Sequence, residues 1–260
     1  MNESQRQSAA DALFEAEQSS APIDPLITTW PEIDLDDAYA IQLLNINRRV
    51  DEGRTIKGHK VGLTARVMQQ LLGVDEPDYG HLLDDMFIDD GATVAATRFC
   101  APKVEIEIAF VLGRELCGPG CTLADVMRAT EFLLPSFEIV DSRVRDWKIG
   151  LLDTVADNAS SAAVVLGGQP VQPGAMDLPT LGAVMWKNGE VAETGAGAAI
   201  LNHPANAIAW LANRLAAFNV VLEAGQIVLP GSCVRATDAV PGDRFRADFA
   251  GLGSVSVTFG

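Results

Sequence analysis

The stretch Val104-Glu105-Ile106-Glu107-Ile108-Ala109-Phe110-Val111-Leu112 carries the clearest fold signal in this sequence. Its first half alternates apolar and acidic residues, which is the period of two that a β-strand requires. From Ile108 to Leu112 every residue is apolar, which predicts burial on both faces of the strand. The alternation places Glu105 and Glu107 on one face, with their Cα atoms roughly 6.5 to 7 Å apart. A buried strand with an acidic pair is therefore the first candidate for a functional site.

Further short apolar runs bounded by Gly and Pro follow from Ile56 onward and are typical of strands. They lie at residues 60–63, 137–140, 162–166, 181–186, 226–229, 245–249 and 254–259. Asn188-Gly189 indicates a hairpin turn, and helical spacing in this part is limited to residues 123–132 and 205–218. The pattern predicts an α+β fold with a strongly curved mixed or antiparallel β-rich core, rather than a regularly alternating α/β barrel.

Two segments with helical periodicity precede these strands. Apolar residues recur at helical spacing up to about Gln18 and again over residues 35–50, and the breaker-rich segment 19–25 separates them. This predicts an N-terminal helical arm over residues 1–55 and a catalytic domain over residues 56–260.

The charge balance limits the partners that this chain can bind. Its 260 residues carry a formal net charge of −16, which repels nucleic acid phosphates and anionic lipid. The polar start lacks the apolar core of a secretory signal, and no apolar run approaches the roughly 20 residues of a membrane span. Four cysteines are too few for a disulfide framework. We therefore expect a cytoplasmic protein that binds neither nucleic acid nor membrane and that supplies local positive charge to any small anion.

A third acidic residue interrupts another apolar stretch. Glu138 lies in Phe132-Leu133-Leu134-Pro135-Ser136-Phe137-Glu138-Ile139-Val140. With Glu105 and Glu107 it would supply three of the roughly six oxygen ligands that a hard ion takes, so Mg²⁺ or Mn²⁺ is favoured over Zn²⁺. The alternatives are a solvated strand face for the pair and an ion pair of Glu138 with Arg143 or Arg145.

Two further candidates are a lysine and an aspartate. Lys60 lies between glycines in Gly58-His59-Lys60-Val61-Gly62, where its ammonium could hold a substrate carboxylate or move a proton. A surface lysine is the alternative. Asp78 falls in the predicted turn Asp75-Glu76-Pro77-Asp78-Tyr79-Gly80, where it could instead bond its own backbone. The polar cluster at residues 153–161 is similarly open to a capping role.

Several stretches together resemble the 2-keto-4-pentenoate hydratase family of the fumarylacetoacetase-like superfamily. They are residues 60–64, 72–80, 104–109, 141–147, 153–160 and 251–255, in the same order and across nearly the whole chain. The resemblance implies a fumarylacetoacetase-like core, Mg²⁺ or Mn²⁺ on Glu105, Glu107 and Glu138, and a homo-oligomer. Lys60 and Asp78 match active-site motifs of the family, and Ser160 falls in another.

The same resemblance implies a reaction. The expected substrate is a 2-keto or 2-hydroxydienoic acid from the meta-cleavage of aromatic compounds, which the enzyme hydrates to a 4-hydroxy-2-oxo acid. An association with the aldolase that acts next is expected as well. Residues 201–206 look closer to hydratases of longer dienoates. The alternatives are a 4-oxalocrotonate-type decarboxylase, an acylpyruvate hydrolase that pairs His81 with Asp84, and a non-catalytic partner subunit of a related enzyme.

Overall fold

The computed structural model describes residues 1–65, 69–70, 74 and 76–260. The helices that we number in these ranges are α1 (Glu3–Ser19), α2 (Leu26–Thr29), α3 (Leu35–Asp51), α4 (Leu123–Ala129), α5 (Leu151–Ala156) and α6 (Pro204–Ala216). The strands are β1 (Ile56–Gly62), β2 (Asp78–Leu83), β3 (Phe87–Asp89), β4 (Thr93–Val94), β5 (Lys103–Leu112), β6 (Thr130–Val140), β7 (Ser161–Leu166), β8 (Gly182–Lys187), β9 (Glu190–Ala196), β10 (Ile227–Leu229), β11 (Thr237–Asp238), β12 (Arg244–Phe249) and β13 (Gly253–Phe259).

Capping residues fix the starts of the two long N-terminal helices. Asn2 and Gln5 form a reciprocal capping box at α1, and Asp34 and Asp37 form one at α3, so free N–H groups at both helix ends are satisfied. Helix α3 packs on α1 and on α5. The buried Gln42 of α3 donates hydrogen bonds to the carbonyls of Tyr79 and Val155, at 3.1 and 2.7 Å. The helical arm is thus bonded to β2 and to α5, and its separation as a domain at residue 55 stays a prediction.

A large mixed sheet forms the centre of the fold. In the described residues its strand order is β2-β1-β10-β5-β6-β7-β3, and β11 pairs with β5. The pairs β1–β10 and β3–β7 are parallel, and the other pairs are antiparallel. A second sheet, ordered β4-β13-β12-β8-β9, packs against β6 and β7. The prediction of an α+β fold with a curved mixed sheet is confirmed.

The core lies between these layers. Phe110 and Phe137 from the large sheet and Phe245 and Phe259 from the second sheet are among its largest fully buried side chains. Burying such rings supplies the main favourable free energy of folding. None of the helices in the described ranges is long and apolar enough to cross a membrane.

The structure corrects two local predictions and bears out a third. The helix predicted over 123–132 ends at Ala129, and Thr130 starts the long strand β6 instead. Asp78 does not lie in a turn, because it is the first residue of β2. The polar cluster at residues 153–161 does supply a cap and a turn, because Asp153 accepts a hydrogen bond from the Gly150 N–H at the start of α5 and Asn158–Ser160 form a short turn. Of the predicted motif 72–80, residues 72, 73 and 75 lie outside the described residues.

Candidate metal centre and active site

Three glutamates meet on one face of the large sheet. Glu105 and Glu107 lie on β5, and Glu105 pairs directly with Glu138 of β6. Opposed residues of an antiparallel pair share a face, as do residues two apart on one strand. One carboxylate oxygen from each glutamate lies within 4.8 Å of the other two. The sheet therefore brings together the three predicted ligands, although their role as ligands stays a prediction.

The cluster is too deeply buried for a solvated strand face. Glu107 and Glu138 are fully buried and Glu105 is partly exposed. Glu107 Oε2 accepts a hydrogen bond from the N–H of Gly231 at 2.7 Å. Glu107 Oε1 and both carboxylate oxygens of Glu138 have no hydrogen-bond partner in the part of the chain that the structure describes. Buried carboxylate oxygens without donors are costly, so this arrangement fits a bound cation.

The pKa values of these carboxyls reflect the same crowding. Burial, followed by repulsion from Glu138, raises the pKa of Glu105 to about 7, although Lys60 opposes this shift. Burial, then Glu138 and Glu105, raise the pKa of Glu107 well above its ordinary value. Nearby positive charge favours the ionised forms of Glu105 and Glu107, and an all-carboxylate donor set suits a hard divalent cation. The residues present thus fit the expected cofactor.

Lys60 is a buried residue of the site, and its surface-lysine alternative is wrong. Only 4% of it is exposed, and its Nζ donates a hydrogen bond to the carbonyl of Ala159 at 3.0 Å. The same Nζ lies 3.5 Å from Glu138 Oε1. Burial lowers the pKa of the Lys60 ammonium, but Glu138, Asp78 and Glu105 outweigh burial and raise it above the ordinary value. Lys60 therefore supplies a fixed positive charge at the edge of the glutamate cluster.

Asp78 lies near Lys60, because their strands β2 and β1 are paired. It is buried and faces Gly62 in the register. A Cβ at Gly62 would lie 2.1 Å from Asp78 Oδ1 and 3.2 Å from Lys60 Nζ, so both side chains occupy the space that glycine leaves. Burial raises the pKa of the Asp78 carboxyl, and Lys60 opposes this shift. Asp78 is therefore a candidate to hold a proton near Lys60.

Ser160 lies in a short turn, Asn158–Ser160, that approaches the site through its main chain. Its hydroxyl lies 3.3 Å from Thr154 Oγ1, and its carbonyl accepts a hydrogen bond from the Asp141 N–H at 2.8 Å. The contact with Lys60 comes from the neighbouring Ala159 carbonyl. The structure thus places Ser160 next to the site, with its hydroxyl against Thr154.

The predicted alternatives for the charged residues have different outcomes. Arg143 pairs with Asp157 and Arg145 pairs with Asp24, so Glu138 has Lys60 as its ion-pair partner instead. His81 Nδ1 lies 3.1 Å from Gln42 Oε1, on the face of β2 opposite to Asp78 and Gly80. Burial lowers the pKa of His81 to about 4. The His81–Asp84 pair needed for the hydrolase alternative is not formed among the described residues.

Two main-chain groups of the site were not predicted. Gly231 donates its N–H to Glu107 with φ +104°, and a Cβ there would lie 2.1 Å from Thr64 Oγ1. The Pro230-Gly231 dipeptide after β10 is a turn signal that could have indicated this position. The Ala159 carbonyl, which accepts from Lys60, has no such signal.

With this geometry established, sequence comparison decides the family. The family model described as fumarylacetoacetate (FAA) hydrolase C-terminal matches residues 44–259. The chain belongs to the fumarylacetoacetate hydrolase family. The predicted membership in its 2-keto-4-pentenoate hydratase branch is confirmed by the curated relatives.

Members of this fumarylacetoacetate hydrolase family match the chain almost end to end. The 2-oxo-hept-4-ene-1,7-dioate hydratase of Escherichia coli is 46% identical over 258 residues, which cover 96% of each chain. The 2-keto-4-pentenoate hydratase of Paraburkholderia xenovorans (strain LB400) is 46% identical over 259 residues, covering 100% of this chain and 96% of the relative.

A solved structure of the same family is also very similar. It is the 4-oxalocrotonate decarboxylase from Pseudomonas putida G7, complexed with magnesium and adipate. It has a TM-score of 0.96 and 39% sequence identity to this chain, and the match covers 100% of this chain and 98% of the decarboxylase. The fold is therefore shared with a magnesium-binding family member.

Proposed function

We propose that the protein is a divalent-metal-dependent hydratase that converts a 2-hydroxy-2,4-dienoate into a 4-hydroxy-2-oxo acid in the meta-cleavage catabolism of aromatic compounds. The observation that carries this proposal is the buried cluster of Glu105, Glu107 and Glu138. Lys60 Nζ lies 3.5 Å from Oε1 of Glu138 in this cluster. The proposal is supported by the 46% identity to two hydratases over nearly the whole chain. The proposed cofactor is Mg²⁺ or Mn²⁺.

The reaction balances as an enol-to-ketone conversion followed by conjugate addition of water. The 2-hydroxyl proton leaves, a proton adds at C5, and the product is a 2-oxo-3-enoate. Water then adds its oxygen at C4, and a proton adds at C3. Glu105, Glu107 and Glu138 would hold the divalent cation, which would supply Lewis-acid stabilisation of the enolate.

The chain's own groups handle the charge and the protons. The Lys60 ammonium attracts the substrate carboxylate and donates a hydrogen bond to it. This local positive charge is needed because a chain of net charge −16 otherwise repels an anionic substrate. Asp78, with its raised pKa, accepts a proton from one substrate atom and returns it to another. Ser160 completes the candidate set, with its hydroxyl 3.3 Å from Thr154 Oγ1. Acid–base help of this kind is worth about 10²- to 10⁴-fold in rate.

An assay with 2-hydroxypenta-2,4-dienoate tests the proposal. Loss of the diene absorbance and formation of 4-hydroxy-2-oxopentanoate, both dependent on Mg²⁺ or Mn²⁺, are the expected results. Longer and carboxylated dienoates in the same assay define the substrate tail. A purified chain that neither turns over these substrates nor binds metal would instead support the non-catalytic partner subunit.

Decarboxylation is the second candidate, because the structural match to the 4-oxalocrotonate decarboxylase is so close. This activity would use the same cluster to stabilise an enolate after carbon dioxide leaves. Incubation with 4-oxalocrotonate and measurement of released carbon dioxide separates the two reactions. Release of carbon dioxide faster than hydration of the dienoate would overturn the hydratase assignment in favour of the decarboxylase.

The assembly and location of the protein are also proposals. We propose a homo-oligomer in the cytoplasm, and an association with the aldolase that consumes the product. Exposed apolar side chains on the segment after α6, namely Phe218, Val220 and Val221, support self-association. Light scattering during size-exclusion chromatography tests it, since a monomer would have a mass of 27.6 kDa.

A further inference from the structure

The turn Asn158–Ser160 has an unusual backbone. Its three residues have φ values of 54°, 51° and 55°, and none of them is glycine. L-residues rarely adopt this left-handed conformation, and asparagine tolerates it better than alanine or serine does. Three in succession persist only where the surrounding structure enforces them. Some contact must therefore hold this turn in place.

The side chain of Asn158 makes that contact. Its Oδ1 accepts a hydrogen bond from the His81 N–H at 2.7 Å, and its Nδ2 donates one to the His81 carbonyl at 2.9 Å. The turn also lies directly on β2, because a Cβ at Gly80 would be 2.4 Å from the Asn158 carbonyl oxygen. Two hydrogen bonds and a close backbone contact thus fix the turn against the strand.

The rest of the segment is attached independently. Asp157 accepts hydrogen bonds from the main chain and side chain of Arg143, and the Ser160 carbonyl accepts one from Asp141. These contacts hold both ends of the turn. Loss of the Asn158 side chain would therefore loosen the turn without detaching the segment.

The consequence falls on Lys60. Lys60 pairs with Gly80 in the register, directly beneath the turn, and its Nζ donates to the Ala159 carbonyl at 3.0 Å. Its ion-pair partner in the described residues is Glu138, at 3.5 Å. Without a fixed Ala159 carbonyl, the ammonium would lose the hydrogen bond that sets its distance from Glu138. The position of Nζ is thus set by the turn on one side and by Glu138 on the other.

We propose that Asn158 is a positioning residue for Lys60. Its side-chain amide locks the left-handed turn on β2, so that the Ala159 carbonyl holds the Lys60 ammonium at a fixed place between Glu138 and Asp78. Asn158 itself touches no reacting group. The catalytic consequence of this inference rests on the proposed function, in which the Lys60 ammonium binds the substrate carboxylate.

Asn158→Gly is the test variant, because glycine adopts the left-handed conformation freely and only the side-chain contacts are lost. Asn188→Gly is the matched control. Asn188 has φ 56° in the β8–β9 hairpin, donates to Asp243 Oδ1 at 2.7 Å and accepts from the Arg244 N–H at 2.9 Å. Both variants therefore remove one left-handed asparagine with two hydrogen bonds, near the site in one case and far from it in the other.

The kinetic expectation is a selective loss of turnover. For Asn158→Gly, kcat falls by about 10- to 100-fold, because a small displacement of a catalytic group has an effect of this size. The Kd for Mn²⁺ stays within about threefold of the wild-type value, since the glutamates are untouched, and Asn188→Gly keeps the wild-type kcat. Wild-type kcat in Asn158→Gly overturns the proposal, as does an equal loss of kcat in both variants.

A second readout does not use activity. Brief acetylation with acetic anhydride, followed by peptide mass spectrometry, gives the labelling of buried Lys60 relative to exposed Lys57 on the same strand. The ratio is expected to rise in Asn158→Gly and to stay unchanged in Asn188→Gly. An unchanged ratio in Asn158→Gly contradicts positioning. If the wild-type protein does not hydrate dienoates, the proposed function fails, and this ratio alone decides the positioning role.

Asn158→Asp covers the case in which the glycine variant does not fold. Aspartate keeps the acceptor for the His81 N–H but replaces the donor to the His81 carbonyl with a carboxylate oxygen. The new carboxylate oxygen repels the His81 carbonyl, so kcat is expected to fall below the wild-type value and the labelling ratio to rise above it. Wild-type values for both in a folded Asn158→Asp protein overturn the proposal.

Discussion

At the residue scale, the three glutamates could be recognised from the sequence because their charge contradicts their surroundings. Glu105, Glu107 and Glu138 lie in apolar strands. Burying a carboxylate without a partner costs so much folding free energy that a compensating cation is expected. The structure adds that three of their carboxylate oxygens lack a hydrogen-bond partner among the described residues and are therefore available to bind a cation. Replacement of one carboxylate by its amide is therefore the most direct test of the cluster.

Glu107→Gln is expected to lower metal-dependent turnover by at least about 10²-fold, because it removes a charge that would bind the cation. The melting temperature without metal is expected to stay the same or to rise, since the change relieves repulsion inside a buried cluster. Turnover of a dienoate and thermal unfolding measure the two effects. Glu190→Gln, on the exposed start of β9, is the control. Full activity of Glu107→Gln would contradict the metal assignment.

The main-chain hydrogen bonds of the site could not be predicted, because a turn signal such as Pro230-Gly231 indicates a bend but not the partner of its N–H group. Gly231 and Ala159 act through a backbone N–H and a backbone carbonyl. Nearly every residue carries these groups, so nothing in the residue type distinguishes the ones that face a site. Lys60 and Asp78 were found through motifs, but their mutual position depends on the pairing of β1 with β2.

His81 predicts how stability depends on pH. Burial lowers its folded-state pKa to about 4, whereas the unfolded chain binds a proton near pH 6.5. The neutral form is thus favoured in the fold, so stability is full above about pH 6.5 and falls as the pH decreases toward 4. The loss is of the order of 3 kcal/mol. Denaturant unfolding between pH 7 and 4 measures it, and His81→Gln should show a smaller slope. An identical slope in the variant would assign the effect to other groups.

At the scale of elements, two errors of prediction have the same origin. Strand β6 contains Pro135, which interrupts a strand pattern, so the sequence predicts a strand only over residues 137–140 and a helix at the start of β6. Strand β2 is buried along its whole length, so Asp78-Tyr79-Gly80-His81-Leu82-Leu83 lacks the alternation that identifies a half-exposed strand. In both cases neighbouring strands, rather than local preference, determine the structure.

Helix α3 offers a test of how firmly one element holds another. Gln42 is buried and bonds the carbonyls of Tyr79 and Val155, and it contacts the ring of His81. Gln42→Leu leaves these groups without a partner and is expected to lower the free energy of unfolding by about 2 to 4 kcal/mol. Urea unfolding measures the loss. The same substitution at exposed Gln7 of α1 should have an effect below about 0.5 kcal/mol. Equal effects at both positions would refute this role of Gln42.

At the scale of the whole molecule, the curvature of the large sheet assembles the site. Two strands, β10 and β5, lie between β1 and β6. In a flat sheet β1 and β6 would be about 14 Å apart, because neighbouring strands are about 4.8 Å apart. Lys60 Nζ nevertheless lies 3.5 Å from Glu138 Oε1. The strong curl of the sheet and the length of the two side chains together close this gap, and the sequence indicated the curl only through its many short strands.

Metal binding should stabilise the whole fold, because the cluster exists only in the folded chain. At a concentration 100 times its Kd, Mg²⁺ or Mn²⁺ is expected to add about 2.7 kcal/mol and to raise the melting temperature by roughly 5 to 10 °C. Calorimetry with and without a chelator measures this shift, and Glu107→Gln should abolish it. If neither ion changes the melting temperature of the wild-type protein, the metal site is contradicted, whatever the activity of the protein.

The pairing of Glu105 with Glu138 also bears on folding. The two residues are far apart in the chain but stand opposite each other in the β5–β6 register. A slip of one residue between these strands would carry Glu138 to the other face of the sheet. Only the correct alignment can then offer all three carboxylates to one ion. A divalent cation present while the chain folds would thus select against misaligned strands, and the yield of correctly paired protein would increase with its concentration.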